Sequence, residues 1–306
     1  MAVHHLHAVL AGKRFRVEHA WDEGALPSAH LASLSVIDVA AGTGAAHIGL
    51  PHDLYMVTAY CDEQLDCRAA NDDGPLRVMV SALRTRPVAF GTRGEGQMAV
   101  ALLSPLGLLR AFGCPLQDLE NTRLSLRELV SAPAEAALHG ELRDAASASE
   151  RSAVLGHWLE GRIAEHRRLG FAAERVAAAA MSLLRGDATP IDELARRHAT
   201  SRRQLERDFH HWLGVTPGAY ARLVRFQRAA GAVADGVPLA HVAADHGFAD
   251  QAHMTRTFRE IADITPREVR RRAAGTDRLR AALAHRTVIL ADGRGGTGTA
   301  GDRLAA

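Results

Sequence analysis

The side chains best suited to recognising a partner lie in two short stretches of the C-terminal third of the chain. In "SRRQLERDFHHWLG", residues 201–214, Leu205 and Phe209 are four apart and belong in a core, so Arg202, Arg203, Glu206 and Arg207 project elsewhere. In "DQAHMTRTFREIAD", residues 250–263, setting aside Met254 and Phe258 in the same way leaves Gln251, Ala252, His253, Thr255 and Arg256. Arginine forks onto guanine, glutamine onto adenine, and alanine or threonine meets a thymine methyl, so both faces suit the major groove of DNA. Ala252 has no hydrogen-bonding side chain, which shifts specificity in the second stretch onto Gln251 and Arg256. Glu206 is placed to orient Arg202 or Arg203 through an ion pair. Thr200, Ser201 and Asp250 read as helix caps, whose N-termini also approach phosphates.

Each stretch is the second helix of a repeated unit. Ile191, Leu194, Ala195 and His198 match Leu239, Val242, Ala243 and His246 at an offset of 48, and Leu205, Arg207, Phe209, Thr216 and Pro217 match Met254, Arg256, Phe258, Thr265 and Pro266 at 49. One residue is added in the turn between. The pattern is a short helix, a tight turn, a second helix and then Thr-Pro, where threonine caps and proline takes the first helical position. That is a helix-turn-helix written twice, with Gly247 at a turn position that calls for positive φ. "TPGAYARLVRFQRAAGAVADG" between the units reads as one amphipathic helix that holds them apart.

With "GF", "TRTFRE" and "TP" at these spacings, residues 171–272 resemble the double helix-turn-helix domain of AraC/XylS-type transcription regulators. The resemblance implies base contacts from Arg203, Glu206 and Arg207 and from Ala252, His253 and Arg256. It also implies double-stranded DNA as the partner, with RNA polymerase, a homodimer partner and a small-molecule effector as further ones. The effector or the dimer contact would belong to an N-terminal domain with a cupin-like barrel and helices.

The rest of the chain is compatible with that order. Alternating runs such as "HLASLSVIDVAAG" and "GQMAVALLSP", from about residue 30 to 104, predict an antiparallel sheet or barrel. From Pro105 the texture is helical, with Ser125/Glu128 and Ser147/Glu150 in capping-box register. The fold class is therefore α+β: a β-rich sensor or dimerisation domain over 1–168, an all-α DNA-binding domain over 169–272, and a tail, 273–306, expected to be disordered and outside both. Residues 1–170 carry 16 basic and 20 acidic side chains and residues 171–272 carry 16 and 12, which places the basic balance on the proposed DNA-binding part.

Other chemistries are poorly supplied. There is no GxSxG elbow, Walker A loop or HExxH, so no enzyme is expected; the runner-up is a helical interaction protein, or an enzyme with its site in the N-terminal domain. His4, His5, His7, His19, His30, His47 and His52 lack the spacing of a complete metal-binding cupin motif, so neither metal nor cofactor is expected. Cys61, Cys67 and Cys114 form no CxxC pair and read as buried or incidental thiols, and Cys114 lacks the arginine partner of a methyl-accepting cysteine. No run of 18 apolar residues or signal-like N-terminus is present, so no membrane span and a cytoplasmic location are expected.

Overall fold

The computed structural model of the chain describes residues 4–10, 13–19, 29–39, 46–62, 65–69, 77–117, 119–166, 168–186, 189–273 and 288–291. Strands β1 (His4–Leu10), β2 (Lys13–His19), β3 (Leu31–Val39), β4 (Ala46–Gly49), β5 (Tyr55–Tyr60), β6 (Asp66–Ala69), β7 (Val78–Ser81), β8 (Val88–Arg93) and β9 (Gly96–Leu103) come first. Helix α1 (Pro105–Phe112), strand β10 (Arg123–Ser125) and helices α2 (Ala132–Asp144) and α3 (Ala148–Glu165) complete the N-terminal half. Two antiparallel sheets result, one ordered β1-β2-β3-β9-β5-β7-β10 and a smaller one that contains β4, β8 and β6. Strands thus begin at His4, well before the expected start near residue 30. "HHLHAVL" lacks a strict apolar alternation and "KRFRVEH" holds only two apolar residues; they are strands because they pair, His4 with His19 through Leu10 with Lys13, and β2 then pairs with β3.

β9 is buried at every residue from Ala99 to Leu103 and packs against α1 and α3. Ser104 starts α1 by accepting the Gly107 N–H at 3.0 Å, with Pro105 in the first turn. "SLRELV" forms a single 3₁₀ turn over Leu126–Glu128, shorter than the helix its capping pattern suggests, because Ser125 is already held in β10 and bonded to Glu135 at 2.8 Å.

The C-terminal half is helical: α4 (Phe171–Arg185), α5 (Ile191–Arg197), α6 (Arg202–Leu213), α7 (Pro217–Ala234), α8 (Leu239–Asp245), α9 (Gln251–Ala262) and α10 (Pro266–Ala273). Its apolar packing does not break near residue 168. One continuous core runs from β3, β5, β7 and β9 through α1 and α3 into α4, α6 and the first half of α7, ending at Tyr220 and Val224. A second core joins Phe226, Ala229 and Val233 of α7 to Met254 and Phe258 of α9, Val269 of α10, and Leu50 from the N-terminal half. Polar contacts reinforce the junction: the Tyr220 hydroxyl donates to the Asp53 carbonyl at 3.0 Å, and the Gln227 amide donates to the Pro51 carbonyl.

The expectation for the tail is overturned for residues 288–291. Strand β11 (Ile289–Ala291) pairs antiparallel with β4, Leu290 opposite Ile48, and heads the smaller sheet, β11-β4-β8-β6. Val288 and Leu290 are fully buried in the second core. A short apolar run has no fate of its own in a glycine-rich context; the edge of β4 and the core around Leu50 give this one a place.

Among the described residues no helix is long and apolar enough to cross a membrane, and no group of three or more His, Cys, Asp or Glu is placed to hold a metal. The side chains of His4, His5, His7, His19, His47 and Cys67 lie outside the described ones. Burial pushes the Cys61 thiol up to about 11 and raises Cys114 as well. Arg162 does lie near Cys114, contrary to the expectation of no arginine, but burial outweighs it, the opposite of what a reactive thiolate needs.

Candidate nucleic-acid interface

Each predicted second helix exists, and its start is capped as its sequence requires. Ser201 accepts the Gln204 N–H at 3.2 Å to begin α6, and Asp250 accepts the His253 N–H at 2.6 Å to begin α9. Thr200 is not a cap: its own N–H donates to the Ala195 carbonyl at 3.0 Å and closes the turn after α5. Thr216 and Thr265 cap α7 and α10 ahead of Pro217 and Pro266, and Thr265 and Glu268 form a reciprocal capping box. Leu205, Phe209, Met254 and Phe258 are all fully buried, which turns the opposite faces of α6 and α9 outward.

The corners of the two units show how strictly the backbone repeats. Positive φ occurs at Ala199 (50°) and Gly214 (77°) in the first unit and at the matched Gly247 (69°) and Asp263 (49°) in the second. A side chain there costs about 1–2 kcal/mol. Ala199→Gly should therefore gain up to about 1 kcal/mol after the entropy glycine restores to the unfolded chain, while Gly247→Ala, with open space around it, should lose about 1 kcal/mol. Gly214→Ala should lose more, since its Cβ would stand 2.9 Å from the Leu116 carbonyl of the N-terminal half. Urea midpoints in that order check this; a Gly214→Ala chain no weaker than Gly247→Ala would mean the Leu116 contact is not held in solution.

On α6, Arg202 is an exposed side chain committed to Glu206 at 2.9 Å and Asp192 at 3.3 Å, so Glu206 orients Arg202 and not Arg203. Arg203 is exposed and has no ion pair among the described residues. Arg207 is exposed and donates to the Gln204 side-chain carbonyl. On α9, Gln251, Ala252 and Arg256 are exposed, and Arg256 has no side-chain partner among the described residues. The Thr255 hydroxyl of this half-buried residue donates to the Gln251 carbonyl at 2.8 Å. His253 is half-buried, edge-on to Phe248 at 5.6 Å, and its Nδ1 accepts the Ala249 N–H at 3.2 Å. The neutral ring therefore carries its proton on Nε2 and offers a donor.

Five supporting residues escape a reading based on helix faces. Arg225 of α7 lies over the Phe248 ring at 5.5 Å and reaches the Gly247 carbonyl at 3.5 Å, bracing the turn that leads into α9. Gln204 and the buried Asp208 bond side chain to side chain at 2.6 Å, a contact their i,i+4 spacing allows. At the ends of α5 and α8 the matched His198 and His246 both have their pKa lowered by burial, with the charges of Arg175 and Arg228 adding to the effect. Between the units, the 18 residues of α7 span roughly 27 Å at 1.5 Å per residue.

A family model described as "Helix-turn-helix domain" matches residues 194–272. A transcriptional regulator of the AraC-type DNA-binding-domain proteins from Chromobacterium violaceum is 29% identical over 33% of this chain and 93% of its own, with a TM-score of 0.32. ToxT from Vibrio cholerae is 12% identical over 77% of this chain and 96% of its own, with a TM-score of 0.42. The AraC-like transcriptional activator CuxR is 14% identical over 71% of this chain and 81% of its own, with a TM-score of 0.29. No curated protein matches. The family model covers the end of α5 through α10, the same two units and joining helix that the repeat defines, so this part of the chain is a helix-turn-helix domain.

Proposed function

We propose that the chain is a cytoplasmic, sequence-specific transcription regulator that lays α6 and α9 into two successive major-groove segments, about 34 Å apart along one face of the duplex. The observation that carries this is the matched pair Arg207 and Arg256, exposed at one register of two helices whose buried faces also match. Arg203, Gln251 and the Nε2–H of His253 complete the proposed base-facing set; Arg202, tied to two carboxylates, acts as a phosphate contact. In this reading residues 1–168 sense an effector or mediate dimerisation, residues 169–272 bind DNA, RNA polymerase is a downstream partner, and the chain is not an enzyme.

Selection of a site from genomic fragments, followed by binding to a base-substituted panel, tests the reading. Arg256→Ala should cost on the order of 1–3 kcal/mol and relax preference at one base pair. Arg207→Ala should do so at a different base pair, with the two losses nearly additive because the side chains share no partner. Equal weakening on every panel member, with a shallower salt dependence, would make both arginines phosphate anchors. No fragment preferred over any other would overturn the reading itself.

A further inference from the structure

The two matched arginines do not stand in matched surroundings. Arg256 has no side-chain partner among the described residues, whereas Arg207 ends a chain of polar contacts that begins in the N-terminal half. Arg110 of α1 pairs with Glu174 of α4 at 3.1 Å, and the next residue, Arg175, donates to Asp208 at 2.7 Å. The other Asp208 oxygen accepts from the Gln204 amide at 2.6 Å, and the Gln204 carbonyl accepts from Arg207. In the second unit, the positions of Gln204 and Asp208 are filled by His253 and Thr257, which supply neither the amide nor the buried carboxylate.

The chemistry of the chain of contacts is directional. A carboxylate only accepts, so Asp208 compels Gln204 to turn its NH₂ inward, and the Gln204 carbonyl is thereby aimed at Arg207. An arginine has five N–H groups; holding one on Gln204 leaves four, enough for a two-pronged contact with a base. Arg207 also borders a cleft of about 530 Å³ shared with Gln117, His210, His211 and Trp212, so its long side chain has a second place to lie. We propose that Gln204 and Asp208 are positioning residues: they keep Arg207 on the outer face of α6 and out of this cleft, so that its rotamers are restricted before DNA arrives. The inference rests on the proposed DNA-binding function and adds that the two half-sites are read unequally, the first by a held arginine and the second by a free one.

Restricting a long side chain in advance is worth roughly a 3- to 10-fold gain in a contact it makes. Gln204→Leu, on a half-buried residue, should therefore lower discrimination by about that factor at one base pair, the same pair affected by Arg207→Ala. In the Arg207→Ala chain it should change nothing further, and discrimination at the second half-site should stay as it is. Gln204→Asn, which keeps the amide but is one methylene too short to join Asp208 to Arg207, should show the same pattern, and thermal midpoints of both variants verify that they are folded. Weakening spread evenly over all base pairs, or an effect that persists in the Arg207→Ala background, would overturn the proposal and leave Gln204 a structural residue. If Arg207→Ala alters discrimination at one base pair and neither Gln204 variant does, the proposal falls while the proposed function stands. If the unaltered chain selects no site, both fall.

Discussion

A chain ending at residue 286 is expected to lose the second helix-turn-helix unit before the first. Such a cut removes Val288 and Leu290, both fully buried, and with them the strand pairing of β11 to β4 and the 3.0 Å bond from the Leu50 N–H to the Val288 carbonyl. Burying a valine and a leucine is worth about 1.5–3 kcal/mol each, so the loss is on the order of 3–6 kcal/mol. That is comparable to the whole stability of an ordinary domain. The damage is directed, because Val288 and Leu290 share a core with Met254, Phe258 and the second half of α7, whereas α6 belongs to the other core. Footprinting should accordingly show protection shrinking to the half-site of α6, and urea unfolding should become biphasic. Leu290→Ala, a milder change, should cost about 2–4 kcal/mol. A truncated chain that melts with the full chain and protects the same length of DNA would show that β11 is dispensable.

Acid should loosen the same junction through His52. This side chain is 5% exposed on the segment whose carbonyls hold Tyr220 and Gln227 of α7. Burial is the chief reason its pKa falls from 6.5 to about 4; the Nδ1–H donated to the Leu54 carbonyl at 2.6 Å pulls the other way, and the charge of Arg84 lowers it further. Because the folded value lies below the unfolded one, the stability His52 contributes is complete above pH 6.5. It is lost as pH falls from 6.5 to about 4, where the unfolded chain binds a proton that the folded chain refuses. At 1.36 kcal/mol for each pH unit in that window, the full loss is roughly 3 kcal/mol. His30, His139, His198 and His246 are shifted in the same direction by burial, so the total acid effect is larger. Urea midpoints at pH 7, 5.5 and 4.5 should fall more steeply for the unaltered chain than for His52→Gln. Parallel curves would show that His52 does not titrate in this window.

By itself the sequence determined what depends on neighbours within a turn or two. The buried faces of α6 and α9 follow from apolar residues four apart, their starts from Ser201 and Asp250 bonding to an N–H three residues on, and the bend at Gly247 from a conformation few side chains tolerate. The repeat added a check that no single motif supplies, since the two units carry the same marks 48 or 49 residues apart. Tertiary structure decided what depends on partners far along the chain. "TVIL" has the same local character as a frayed tail or as a strand, and only the edge of β4, some 240 residues earlier, makes part of it β11. Gln227 finds its acceptor 176 residues away at Pro51, and Tyr220 finds its own 167 away at Asp53. The difference between Arg207 and Arg256 has the same origin. The repeat makes them equivalent, and the fold brings Arg175 to a buried Asp208 in one unit alone, because a carboxylate taken from water must be met by a donor, while the Thr257 that replaces it carries no charge to be met.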